Sequence, residues 1–136
     1  MKTYFEEFRV STSQRFQVID ITDRVEEIVS RSGICNGIVL VYAPHATAAI
    51  IANEAEPGLL EDYVTWIREH FQPERGWRHN RIDNNAHAHL ASAFIGASRV
   101  FPLRDCRLVR GTWQNIMLVE MDGPRSRRVI VEVMGE

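Results

Sequence analysis

The chain has 136 residues, of which 45% are hydrophobic and 25% are charged, and its formal net charge is −2 at pH 7. This length is enough for one domain with a hydrophobic core, so no disulfide or metal is needed for folding. A charge so close to zero supplies no long-range field that would attract nucleic acid or a membrane surface. We therefore predict a single domain over residues 1–136, with neither nucleic acid nor a membrane as a partner.

The cysteines and the first residues bear on the cellular compartment. Cys35 and Cys106 form no CxxC pair, so we expect reduced thiols and not a redox motif or a thiolate zinc site. Residues 1–8 lack the apolar run and the cleavage site of a signal peptide. The longest apolar stretch, Ile38 to Ala43, is too short to span a bilayer. These features predict a cytoplasmic protein.

The first half of the chain alternates predicted strands with a helix. Apolar residues at helical spacing predict a short helix that ends at Gly33, with Thr22 and Asp23 as possible caps. Four β-branched or apolar runs predict strands in this half: Tyr4 to Val10, Phe16 to Asp20, Gly37 to Ala43 and Ala48 to Ala52.

The second half contains two further predicted helices and then only strands. The most regular helical pattern begins at Pro57 and ends before Pro73, and a second one runs from about Ala86 to Phe94 behind Asn84-Asn85. Together the elements predict an α+β protein in which strands dominate and about three helices lie between them. The predicted strands of the last third are Val100-Phe101, Leu108-Val109, Trp113 to Met121 and Arg127 to Met134.

His45 lies in the turn between two apolar strands, among small residues that leave space for a ligand. Thr47 adds a hydroxyl two residues later. A buried polar group costs free energy unless a partner satisfies it. His45 is therefore either a hydrogen-bonded histidine at a strand end or a ligand-binding residue, and the sequence leaves both interpretations open.

Asn53 and Glu54 follow the next strand at a strand-to-helix junction, where the helix N–H groups also point outward. An amide and a carboxylate at such a junction can bind an anion or orient a metal ligand. Glu56 differs, because it directly precedes Pro57 and is expected to complement the positive end of the helix dipole.

Three of the five histidines lie within eleven positions, between residues 79 and 89. On a regular helix His87 and His89 would point about 200° apart, so only one of them can join a shared metal site, with distant partners such as His45 and His79. Imidazoles with carboxylates suit zinc or another divalent metal. No HExxH or cysteine pattern fixes the metal, and the choice between His87 and His89 stays open.

Gln114 and Glu120 share one face of a predicted strand. If this face packs inward, Glu120 is a sheltered carboxylate whose protonation depends on desolvation and nearby charges, and otherwise it is an edge-strand residue in solvent. Arg125, Arg127 and Arg128 flank the final turn, where they either contact phosphate or form a solvated tip.

Six segments of the chain occur together in a recognisable order: His45-Ala46-Thr47-Ala48-Ala49, Asn53-Glu54, Asn85-Ala86-His87-Ala88-His89-Leu90, Ser98 to Pro102, Gly111-Thr112-Trp113-Gln114 and Arg127-Arg128-Val129. Through these segments the chain resembles the YjbQ family, also called secondary thiamine-phosphate synthases, over nearly its whole length. Two positions depart from the family's usual residues: Asn80, where members often carry aspartate, and Ala46, where threonine or serine is more usual.

The resemblance implies a compact β-rich sandwich with helices, usually a homotrimer, that holds a divalent metal ion, zinc or magnesium. The implied reaction joins hydroxymethylpyrimidine diphosphate to a thiazole phosphate and releases pyrophosphate. The implied site consists of His45, His79 and His89 as metal ligands, Glu54 and Glu120 as catalytic carboxylates, and Thr47, Asn53, Gln114 and Arg127 as contacts to the phosphorylated substrate.

Two other functions would use the same residues. One is a non-enzymatic protein that binds a metal or a small molecule. The other is a metal-dependent phosphohydrolase, in which a zinc-bound water beside Glu120 attacks the phosphate. The sequence contains no Gly-rich phosphate loop and no aspartate-rich diphosphate motif, so it gives phosphate chemistry no separate support.

Overall fold

The computed structural model describes all of residues 1–136 as eight strands and three α-helices. A short 3-10 helix, Arg78–Arg81, precedes the third α-helix. The α+β class and the three helices confirm the prediction from sequence. The elements are β1 Lys2–Ser11, β2 Gln17–Asp20, α1 Thr22–Ser32, β3 Gly37–Tyr42, β4 Ala48–Asn53, α2 Pro57–His70, α3 Ala86–Ile95, β5 Ser98–Arg104, β6 Arg107–Leu108, β7 Asn115–Glu120 and β8 Ser126–Gly135.

The strands form two antiparallel sheets that pack as a sandwich. Sheet A has five strands in the order β1-β8-β3-β5-β6, and sheet B has three in the order β2-β7-β4. The main core lies between the sheets, where Val39 and Val131 of sheet A and Ile116 and Leu118 of sheet B are completely buried. Strand alternation explains this pattern, because every second side chain of each strand points to the same face.

The helices cover what the sheets leave open. Helix α1 adds Val25, Ile28 and Val29 to the main core, and it ends at Gly33 in the left-handed conformation, as predicted. The N-cap residue of α1 is Ile21, which has no capping side chain, so the prediction of Thr22 or Asp23 as the cap was wrong by one or two residues. The residue before it, Asp20, contributes instead, because its Oδ1 accepts hydrogen bonds from the N–H and the hydroxyl of Thr22.

Helices α2 and α3 pack on the outer face of sheet B and form a second, smaller core with Ala49, Val119 and Met121. The carboxylate of Glu56 accepts hydrogen bonds from the N–H groups of Gly58 and Leu59, so this residue caps α2. The predicted helix-dipole role of Glu56 is confirmed. None of the three helices has the length and apolar character of a membrane-crossing segment.

Cys35 and Cys106 are joined in a disulfide, so the expectation of two reduced thiols was wrong. Cys35 precedes β3, and Cys106 lies in the turn between β5 and β6. These segments meet because β5 pairs with β3 on one side and with β6 on the other. The two cysteines are 71 residues apart and meet only through the register of the strands, so their spacing in the sequence does not indicate that they pair.

Candidate functional site

The sequence-predicted site residues fall at opposite ends of sheet B. Strands β4 and β7 pair antiparallel, with Ala48 opposite Glu120 at one end and Asn53 opposite Asn115 at the other. We call the end at Ala48 and Glu120 the histidine end. Besides Glu120 it contains Arg127, the turn between β3 and β4 with His45 and Thr47, and the segment from His79 to His89. We call the end at Asn53 and Asn115 the glutamate end, and it contains Asn53, Glu54 and Gln114. The fold does not gather all the predicted residues into one group.

A buried ion pair between Glu120 and Arg127 organises the histidine end. Both side chains are almost inaccessible, and Arg127 Nη2 lies 2.5 Å from Glu120 Oε1. Glu120 also accepts hydrogen bonds from Arg127 Nε, from the hydroxyl of Thr12 and from the N–H groups of Met121 and Asp122. Five donors fill the acceptor capacity of a carboxylate, which has about four lone-pair sites. Glu120 is thus the inward-facing carboxylate that the strand pattern allowed, and its partner is an arginine.

The electrostatics of this pair keep Glu120 ionised. Burial by itself would raise the pKa of Glu120, but the hydrogen bonds from Arg127, Asp122 N–H and Thr12 outweigh it and lower the pKa below the ordinary value. Arg127 Nη2 also donates to the carbonyl and the hydroxyl of Thr47, at 3.1 and 2.8 Å. The ion pair therefore fixes the β3–β4 turn to the ends of β7 and β8.

Thr12 is a member of this network that sequence reasoning missed. Its hydroxyl donates to Glu120 and accepts the N–H of Arg125, so it connects the end of β1 to the turn before β8. A threonine after a strand has no distinctive pattern, and only the pairing of β1 with β8 brings it to Glu120.

His45 is half-buried and held by one strong contact, the hydrogen bond that the N–H of Arg128 donates to its Nε2 at 2.8 Å. Burial, and then the neighbouring Arg127 guanidinium, lower the pKa of His45, so the neutral imidazole is favoured. In that neutral ring the proton is on Nδ1. His45 therefore offers a hydrogen-bond donor, whereas its lone pair already has a partner.

His79 and His89 are neighbours, with ring centroids 4.8 Å apart in an edge-on arrangement. His79 Nε2 lies 3.1 Å from Asn85 Oδ1, which can only accept, so Nε2 carries the proton and the lone pair of His79 lies on Nδ1. Asn85 is itself held, because its amide donates to Asp122 Oδ2 at 2.9 Å. A backbone or side-chain oxygen that fixes the other nitrogen is the usual support of a metal-ligating histidine.

His87 points away from this pair into the helix-side core, as helical geometry predicted. It is completely buried against Phe16, and its Nε2 donates to the carbonyl of Met121 at 3.1 Å. Burial lowers the pKa of His87, and its Nδ1 has no hydrogen-bond partner. Of the two candidates on α3, the structure thus brings His89, and not His87, together with His79.

A polar cavity of about 350 Å³ adjoins the histidine pair through Asn85. Arg15, Arg125 and Asp122 line it with residues 83–85. Arg125 pairs with Asp122 at 2.9 Å, and Arg15 donates to the carbonyl of Asn84. Two guanidinium groups around a polar cavity provide the planar N–H donors that suit phosphate oxygens.

At the glutamate end, the Glu54 carboxylate forms no hydrogen bond and no ion pair within the chain, although its N–H donates to Asn53 Oδ1. Glu54 shares a cavity of about 370 Å³ with Trp113, whose ring is 71% exposed. Gln114 folds back, and its Oε1 accepts the N–H of Gly111 at 2.6 Å. This end thus presents one free carboxylate beside an exposed aromatic ring.

Asn80, which stands where family members often carry aspartate, has a structural role. Its Oδ1 accepts the N–H of Ala86 at the start of α3, and its amide donates to the carbonyl of Pro73. Asparagine can make both contacts, whereas an aspartate has no hydrogen to donate to a carbonyl.

The fit to a divalent cation is partial within one chain. No three histidine, cysteine, aspartate or glutamate side chains lie close enough together to hold one metal ion. His79 and His89 supply two imidazoles, but His45 does not join them and the carboxylates of Glu120 and Asp122 are engaged by arginines. A catalytic zinc site usually has three protein ligands.

Comparison with known proteins shows one consistent set of relatives. A family model described as UPF0047 protein YjbQ-like matches residues 6–136. A UPF0047 protein of Archaeoglobus fulgidus is 44% identical over 128 residues, which are 94% of this chain and 99% of that protein. UPF0047 protein YugU of Bacillus subtilis is 37% identical over 131 residues, covering 93% of this chain and 96% of its own.

Solved structures agree with the sequence relatives. A YbjQ-like protein of unknown function from Sulfolobus solfataricus is 59% identical, covers 99% of both chains and has a TM-score of 0.98. A hypothetical protein from Aeropyrum pernix is 52% identical, covers 100% of both chains and has a TM-score of 0.96. The whole of the described fold is therefore shared with these proteins.

Proposed function

Because the chain belongs to the YjbQ/UPF0047 family, we propose that it is a transferase that joins hydroxymethylpyrimidine diphosphate to a thiazole phosphate at the histidine end. The observation that carries this proposal is the His79–His89 pair, linked through Asn85 to the cavity that Arg15 and Arg125 line. Imidazoles suit a divalent cation and guanidinium groups suit phosphate. A divalent cation together with arginine donors can neutralise a diphosphate leaving group.

A divalent cation bound there would supply the positive charge that stabilises pyrophosphate as it leaves. Asn85 keeps the lone pair of His79 on Nδ1, which prepares this residue to bind a cation. Arg15 and Arg125 would donate N–H groups to the diphosphate oxygens, and fixed donors of this kind stabilise charge that develops in a transition state. The cation, zinc or magnesium, is part of the proposal.

His45 takes a different role in this proposal from the metal-ligand role that the family resemblance implied. Its lone pair accepts the N–H of Arg128, so the Nδ1–H is the group available to a ligand. We assign His45 a hydrogen bond to a substrate oxygen. Arg127 and Glu120 would keep the turn with His45 and Thr47 in place, and neither needs to contact the substrate.

The test is an assay of the purified chain with both substrates, before and after removal of bound metal by a chelator. We expect thiamine phosphate and pyrophosphate in equal amounts, loss of turnover with the chelator, and recovery on adding metal. His89→Ala should lower turnover strongly. His70→Ala is the matched control, because His70 is an exposed histidine on α2 that stacks on Trp66.

The same assay separates the rival functions. Release of phosphate from the diphosphate substrate alone, with no joined product, would overturn the transferase proposal in favour of a phosphohydrolase. Binding of the diphosphate without any turnover would overturn it in favour of a binding protein. The saturated carboxylate of Glu120 argues against the hydrolase, because no lone pair is left to activate a water.

A further inference from the structure

The two ends of sheet B are too far apart to act on one small ligand. Five residue steps separate Ala48 from Asn53 along β4, and the same number separates Glu120 from Asn115 along β7. At the usual rise of a strand this is about 17 Å. Glu54 therefore cannot reach the cation that His79 and His89 would hold in the same chain.

Each end contains what the other lacks. The histidine end has two imidazoles, but its carboxylates Glu120 and Asp122 are paired with arginines, and the exposed Asp83 does not lie close enough to both histidines to complete a metal site. The glutamate end has the unpaired carboxylate of Glu54 and no histidine. A set of two histidines and one glutamate is a known catalytic zinc site that keeps one position open for water or substrate.

We propose that Glu54 of a second copy of this chain completes the His79–His89 site, so that the working site lies between two copies. This inference rests on the proposed function, because it treats the histidine pair as the cation site of that reaction. It assigns Glu54 as the third ligand of a divalent cation whose open position faces the diphosphate.

The surfaces around the two ends are complementary in charge. Arg78 and Arg81 flank His79, both are exposed, and neither forms an ion pair within the chain. The unpaired carboxylate on the other end is that of Glu54. When the two ends meet, the carboxylate of Glu54 would approach two guanidinium groups of opposite charge.

Each end also exposes a large apolar side chain. Ile82, directly after the 3-10 helix that carries His79, is 75% exposed, and Trp113 beside Glu54 is 71% exposed. Contact between the ends would remove both from water. The contact joins two different surfaces, and when the same rotation relates each copy to the next, such head-to-tail contacts close into a ring.

The decisive experiment is complementation between two single variants, His89→Ala and Glu54→Gln. Neither is expected to turn over substrate alone. In rings formed by co-expression in equal amounts, each junction has about a one-in-four chance of joining an intact histidine end to an intact glutamate end. We therefore expect about a quarter of the wild-type turnover per chain.

The matched control is the double variant His89→Ala/Glu54→Gln co-expressed with the wild type. A shared site predicts about a quarter of the wild-type turnover here too, because both residues at a junction must come from wild-type chains. A site within one chain predicts about half in this control and none in the mixture of single variants. That second pattern would overturn the proposal.

A cross-linking measurement keeps the inference testable if the wild type has no turnover and the proposed reaction fails. Ile82→Cys and Trp113→Cys chains are co-expressed so that mixed rings form, and are then treated with a short bis-maleimide; the native cysteines do not react, because they form a disulfide. We expect a two-chain product in the mixture and little with either variant alone. Equal yields in all three samples, or no product, would overturn the shared site.

Discussion

At the scale of single residues, the histidine end depends on a carboxylate that does not reach solvent. Glu120 is completely buried and receives five hydrogen bonds, two of them from Arg127. Its catalytic role, expected from the family resemblance, stays a prediction. The contacts favour a positioning role, because the guanidinium of Arg127 is hydrogen-bonded both to Glu120 and to Thr47, which lies in the turn that carries His45.

Glu120→Gln should therefore lower the free energy of unfolding by more than the loss of an exposed ion pair does. The change leaves the guanidinium of Arg127 buried without a counter-charge, and breaking a buried pair in this way costs about 3–5 kcal/mol. Urea unfolding measures the loss. Glu7→Gln is the control, because the exposed pair of Glu7 with Arg128 should contribute no more than about 1 kcal/mol. Equal unfolding midpoints for the two variants would contradict the structural role of Glu120.

Glu120 also makes a specific prediction for acid. Its pKa is lower in the fold than the ordinary 4.5, so the unfolded chain binds the proton more readily. The stability that Glu120 contributes is then present above pH 4.5 and is lost as the pH falls through the folded-state pKa. We expect the free energy of unfolding to fall in this window for the wild type and to fall less steeply for Glu120→Gln. Parallel pH profiles would show that Glu120 does not titrate with the fold.

The sequence predicted part of this site for clear physical reasons. Helical geometry separates His87 from His89, and strand alternation places Glu120 on the same face as Gln114, so both results follow from local periodicity. Whether that face packs inward or lies in solvent was left open by the sequence. Thr12 and the pairing of Glu120 with Arg127 could not be predicted in the same way. They depend on how β1, β7 and β8, which belong to different sheets, meet at one end of the sandwich.

At the scale of elements, the sequence predicted the order of strands and helices. It did not predict which strand faces are buried and which are exposed. The run from Gly37 to Ala43 is apolar at most positions, yet Ile38 and Tyr42 of β3 are exposed on the outer face of sheet A. β7 begins at Asn115 and not at Trp113, because the preceding residues form a turn that Gln114 closes onto Gly111. A strand pattern does not reveal which face another layer covers.

The disulfide is the element-scale feature with the largest expected effect on stability. It connects the segment before β3 to the β5–β6 turn and closes a loop of 71 residues. A loop of this length restricts the unfolded chain enough to stabilise the fold by about 4 kcal/mol in the chain-entropy model. Urea unfolding with and without reductant should show this loss, and Cys35→Ser/Cys106→Ser should match the reduced wild type. Two titratable thiols in the unreduced native protein would refute the bond itself.

At the scale of the whole molecule, the sandwich exposes several large apolar side chains on different surfaces. Phe5 and Val100 lie on sheet A, and Ile82 and Trp113 lie near the two ends of sheet B. The expected cytoplasmic location stays a prediction.

We expect the chain to form a homotrimer in solution. A ring of three copies has a mass of about three times 15.7 kDa, and it would bury apolar side chains that one chain leaves in water. Light scattering at micromolar concentration measures this mass directly. A stable species of 15.7 kDa would remove both the trimer and the shared site.

The most direct test of the account is the binding of a divalent cation together with pyrophosphate at the histidine end. Calorimetric titration of zinc into the metal-free protein, with pyrophosphate present, should give one site per chain in the wild type and in His70→Ala. In His89→Ala the affinity should fall by about 100-fold or more, since even loss of a residue that supports a ligand costs up to this factor. Wild-type affinity in His89→Ala would contradict the claim that this end of the sandwich is the cation and phosphate site.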